Sequence, residues 1–78
     1  MLTIKKEKRK LVSRLRKLSD GNITYLAAEL NMSYQRLWRW FKVNTISDRG
    51  ILQLCNNSKY SYLISDELRE YIYAKYRI

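Results

Sequence analysis

Gln35, Arg39 and Lys42 stand at i, i+4 and i+7 in the segment YQRLWRWFK. On an α-helix that spacing puts all three on one stripe. A carboxamide, a guanidinium and an ammonium in line are hydrogen-bonding groups for an anionic surface. Gln can hold adenine through N6 and N7, and Arg can hold guanine through O6 and N7. Covalent chemistry has no comparable set of residues. The chain has no histidine and one cysteine, Cys55, in the apolar run ILQLC. No zinc site can be assembled from that, and Cys55 reads most simply as a small core residue. There is no phosphate-binding loop and no acid pair set among apolar neighbours, so neither catalysis nor a cofactor is expected.

The charge supports an anionic partner. Sixteen Lys and Arg against seven Asp and Glu give a formal charge of +9. Residues 1–20 hold eight of the cations (Lys5, Lys6, Lys8, Arg9, Lys10, Arg14, Arg16 and Lys17) against Glu7 and Asp20. Residues 21–45 hold three against one, and residues 46–78 five against four. The first half of the chain is therefore the expected contact side. No apolar run approaches the ~18 residues of a membrane span. The start, MLTIKKEKRK, turns charged too soon for a secretory leader, so a cytoplasmic protein is expected.

Seventy-eight residues make one domain, without proline and with two glycines, Gly21 and Gly50. Helices joined by short connections are expected: an all-α bundle of about five. Leu11, Leu15 and Leu18 give a first helix over residues 4–19, with Ile4 one heptad earlier and Val12 widening the stripe. Residues 1–8 either begin that helix or form a flexible arm. Asp20-Gly21-Asn22 is a stop followed by a cap. Ile23, Leu26, Ala27 and Leu30 predict a second helix over 23–30. Asn31 tolerates the left-handed region, Met32 points inward, and Ser33 caps a third helix over 34–42. There Leu37, Trp40 and Phe41 face the core. A fourth helix is read over 48–56. The rival is a hairpin at 51–64, a wing, because Tyr60, Tyr62 and Ile64 alternate around an Asn-Asn turn signal. A last helix is expected over 66–77, capped by Ser65.

Residues 23–42 resemble the helix-turn-helix of phage repressors and Cro-type regulators. The resemblance rests on Leu26-Ala27 where the two helices cross, Leu30, Asn31 and Met32 around the turn, and Leu37 and Trp40 as anchors. Asn31 stands where the family most often has Gly, and Trp38, Trp40 and Phe41 are bulkier than its usual residues. It covers about twenty residues. The resemblance implies a helix-turn-helix domain that binds double-stranded DNA, a transcriptional regulator of phage or mobile-element type. It also implies that Thr24, at the start of the second helix, clamps a phosphate.

On that reading the third helix enters a major groove, with its N-terminal side chains toward the bases. Gln35, Arg39 and Tyr34 are the candidate base readers. Thr24, Ser33, Arg36, Lys42, Lys6, Arg9 and Lys10 are the candidate backbone contacts. Each has a plainer alternative. For Arg39 and Gln35 it is a phosphate contact or a solvated group, and for Arg36 an intraprotein salt bridge. Trp38 packs on sugar or a thymine methyl, or lies partly buried against the first helix. The basic first helix is either a phosphate-neutralising flank or the solvated face of an amphipathic helix. Tyr60, Tyr62, Tyr71, Tyr73 and Tyr76 exceed what so small a core holds. They form a homodimer contact through the last helix, or cap a monomer core. A second class of function also fits: a small adaptor or inhibitor that binds a host protein through the same scaffold. Structured RNA fits less well, because the chain lacks a Gly-x-x-Gly loop or an aromatic sheet motif.

Overall fold

The computed structural model describes residues 2–77. The fold is all-α: α1 (Leu2–Ser19), α2 (Ile23–Glu29), α3 (Tyr34–Val43), α4 (Asp48–Cys55), a 3-10 turn (Ser61–Leu63) and α5 (Asp66–Tyr76). Helix α1 packs on α2, α3 and α5, while α4 closes against α5. No helix among the described residues is long and apolar enough to cross a membrane.

Local chemistry sets the boundaries. The side chains of Asn22, Ser33, Ser47 and Ser65 accept hydrogen bonds from Tyr25, Arg36, Gly50 and Leu68 N–H, so each of α2 to α5 has its own cap. Asn31 (φ 57°), Asn44 (φ 58°) and Gly21 (φ 81°) take the left-handed turns, as does Asp20. The Leu30–Ser33 turn folds back tightly, with Met32 N–H donating to Ala27 O at 3.0 Å. Ala27 is buried where α2 meets α3, and a longer side chain there would separate the two helices.

The core consists of Leu11, Val12 and Leu15 from α1, Leu26, Ala27 and Leu30 from α2 and its cap, and Leu37 and Trp40 from α3. Ile46, Ile51, Leu54, Tyr60, Leu63, Ile64, Leu68 and Ile72 complete it. Phe41, Met32, Ile4 and Cys55 are half-buried against it. Burial pushes the Cys55 thiol above its ordinary pKa, against a smaller opposing effect from Arg69.

One expectation changes, and two alternatives fall away. Leu18 is exposed (40%), because α1 turns its Leu11–Leu15–Ser19 line inward; Ser19, bonded to Arg16 O at 2.7 Å, takes the buried place. Residues 2–8 continue α1 and form no arm: Ile4 packs on the core, Glu7 is buried and Lys8 pairs with Asp48. The wing is absent, with no strand among the described residues. Asn57 Oδ1 accepts from Lys59 and Tyr60 N–H, which winds the chain into a turn. The residues then buried are Tyr60, Leu63 and Ile64, a helical spacing, while Tyr62 is 68% exposed.

Candidate nucleic-acid interface

Helix α3 buries Leu37 and Trp40, so the opposite face is fixed by geometry. Gln35, Trp38, Arg39 and Lys42 are exposed on that side, and Tyr34 is exposed at the start of the helix. The helix carries three cations and no acid. Gln35 and Arg39 share one small depression with Arg36, and neither makes a side-chain hydrogen bond or ion pair among the described residues. Lys42 Nζ lies over the Trp38 ring, 5.0 Å from its centre, at the C-terminal half of the helix.

Arg36 differs from its neighbours. Its guanidinium lies over Trp40, 5.6 Å from the ring centre, and donates to Gln53 Oε1 at 3.5 Å. Gln53 Nε2 in turn donates to Leu30 O at 3.1 Å and Asn31 O at 3.2 Å. Helix α4 thereby braces the turn between α2 and α3. Gly50 belongs to the same brace: a Cβ there would overlap the Trp40 ring and come within 3.1 Å of Ile46 Cγ1. Arg36 thus takes the intraprotein alternative, although its exposed edge still borders Gln35 and Arg39.

Helix α1 crosses the C-terminal end of α3 and brings cations to both sides of it. On one side Arg16 donates to Phe41 O at 2.6 Å and lies over the Phe41 ring. A cation at that end also suits the α3 dipole. On the other side Lys5 and Arg9 line a depression with Val43, Asn44 and Thr45. Lys6 and Lys17 point to solvent. Lys10 stands about 100° further round α1 than Arg9, away from α3, and pairs with Glu7 at 3.3 Å. Arg14 donates to Leu63 O, and Lys8 and Lys75 converge on Asp48. The eight cations of α1 therefore divide into flanking, solvated and structural groups.

Thr24 is exposed at the second position of α2, and its neighbour Ile23 lines a cleft with Trp38 and Phe41. The Ser33 hydroxyl serves as the α3 cap (3.3 Å to Arg36 N) and keeps its proton for a further acceptor. The structure groups Gln35, Arg39 and Lys42 as the sequence did, keeps Arg9 beside them, and separates Lys10. It adds Lys5 and Arg16, whose signal was present in the spacing 5, 9, 16 beside the buried Val12. Gln53 and Gly50 had no local signal, because their roles exist only once α4 reaches the turn. Comparison with family models, with characterised proteins and with solved structures gives no match.

Proposed function

We propose that the chain is a helix-turn-helix protein that binds double-stranded DNA, with α3 in the major groove. One observation carries the reading. The exposed Gln35–Arg39–Lys42 stripe has cations from α1 on both flanks of its C-terminal end and no acid on its own helix. In the groove, Gln35 and Arg39 meet base edges, with Tyr34 beside them at the N-terminal end. Lys42, Lys5, Arg9 and Thr24 hold the phosphates, and Lys6 adds to the field. The resemblance of residues 23–42 to phage-type regulators makes transcriptional control the role. Tyr73 and Tyr76, adjacent on α5 and exposed, are the groups for a homodimer that spans two half-sites about one helical turn apart. Tyr60 and Tyr71 are occupied within the monomer by Glu29 and Asp48.

Selection from random duplexes tests this. An enriched motif, with Arg39→Ala losing preference at one base pair, is the expected result. A palindromic motif and a dimer by sedimentation support the α5 contact. Weak, sequence-blind binding would overturn the reading in favour of a protein-binding adaptor.

A further inference from the structure

A cleft of about 480 Å³ opens where the end of α1, the turn after it and the C-terminal half of α3 meet. Trp38, Phe41 and Ile23 form its apolar walls, and Arg16 and Lys42 stand at its rim. We propose that this cleft binds a small carboxylate with a flat aromatic body, and that such a ligand competes with DNA.

The walls and rim specify that chemistry together. Small-molecule sites are largely apolar hollows of roughly 300–1,000 Å³ with a few placed polar groups. Trp38 is 44% exposed, so much of its indole is left unused by the core. The two cations already lie against the two aromatic rings, Arg16 over Phe41 at 5.5 Å and Lys42 over Trp38 at 5.0 Å. An anion attached to a flat ring would reach a cation while its body stacks on a wall. No carboxylate lines the cleft to compete with it. Arg16 gives one N–H to Phe41 O and keeps others for a ligand. Gly21 also lines the cleft, and a Cβ there would meet no atom within 4 Å, so that wall is uncrowded.

The competition follows from shared residues. Lys42 and Trp38 belong both to the cleft rim and to the exposed face of α3. A carboxylate paired with Lys42 removes one phosphate contact and adds a negative charge beside the stripe. This coupling rests on the DNA reading; the binding itself does not.

Cinnamate and its neutral amide, cinnamamide, provide the test on the whole chain, read by the two indole N–H resonances. Cinnamate is expected to shift the Trp38 resonance saturably with a Kd of about 1 mM, the range open to so small a ligand in a shallow site, and to leave buried Trp40 still. Cinnamamide is expected to bind at least about fivefold more weakly, and Lys42→Gln to weaken cinnamate by a similar factor. Absence of a saturable shift, or equal binding of acid and amide, overturns the site. With the site established, cinnamate should lower duplex affinity more than sodium chloride of equal ionic strength. Equal effects overturn the coupling alone, and a chain that takes cinnamate yet selects no duplex overturns the DNA reading alone.

Discussion

Asp48 and the outward face of α3 treat charge in opposite ways. At Asp48, two lysines and a tyrosine from α1 and α5 converge on one carboxylate at the first residue of α4. Lys8 Nζ reaches Oδ1 at 2.8 Å as an ion pair, while Lys75 and the Tyr71 hydroxyl donate to Oδ2. On α3, Gln35 and Arg39 have no such partner among the described residues. The first region uses polar groups to hold three helices together; the second leaves them to solvent. A basic composition alone does not distinguish these uses, because Lys8 and Arg9 are neighbours in sequence and fall into different groups.

Breaking the first region has the larger expected effect. Burial alone would raise the Asp48 pKa, but Lys75, Lys8 and Tyr71 together hold it at about 2 against an ordinary 3.8. At 1.36 kcal/mol per unit, that shift corresponds to about 2 kcal/mol of folding stability. The carboxylate stabilises the fold above pH 3.8, and the contribution is lost as the pH falls toward about 2. A chain of this length has a total of roughly 4–12 kcal/mol, so the loss is a large share. Asp48→Asn should lower stability by about 2 kcal/mol at neutral pH in urea unfolding. It should also flatten the fall in stability between pH 4 and 2, leaving a remainder from Glu7 and Glu29. Those two pKa values are lowered chiefly by the Ser65 hydroxyl and by Lys59, respectively. An undiminished acid transition in Asp48→Asn would show that the junction does not link α1, α4 and α5.

The α3 face should respond in the opposite sense. Arg39→Ala is expected to change stability by less than about 0.5 kcal/mol, as for an exposed side chain with no partner. Its loss appears in discrimination, at about 1–3 kcal/mol for one base pair, measured on matched and mismatched duplexes. A destabilised Arg39→Ala protein would mean that this residue belongs with Asp48. Between the two regions lies the brace. Gln53→Ala removes two hydrogen bonds to the turn carbonyls and is expected to cost about 1 kcal/mol. It should weaken all duplexes alike, because it affects the seating of α3 without touching a base.

Much of this division was legible in the sequence, for physical reasons that differ by element. The caps Asn22, Ser33 and Ser65 and the left-handed Asn31 are local: each bonds or bends within three residues of itself. The inward face of α3 followed from Leu37 and Trp40, which left the Gln35–Arg39–Lys42 stripe outside. What required the fold was every choice between two plausible neighbours. Leu18 and Ser19 competed for one inward place, and the hydroxyl took it because Arg16 O was within reach. The alternation Tyr60–Tyr62–Ile64 was a real pattern, but the Asn57 side chain captured the backbone that a strand would have needed. Asp48 read as a helix start and is one; that it gathers Lys8 and Lys75 depends on contacts spanning 40 and 27 residues.

The smallest expected effect separates two cations one position apart. Arg9 and Lys10 are both exposed on α1, and composition treats them alike. Arg9 stands with Lys5 beside Val43–Thr45, next to the end of α3, whereas Lys10 turns away toward Glu7. Each phosphate neutralised on B-DNA adds about 0.9 to the slope of log K against log salt. Lys5→Gln with Arg9→Gln should therefore flatten the slope by about 1.8, while Lys10→Gln leaves it unchanged within about 0.3. A Lys10→Gln slope as flat as that of Arg9→Gln would place the DNA against the outer face of α1. The major-groove helix would then no longer be the centre of the contact.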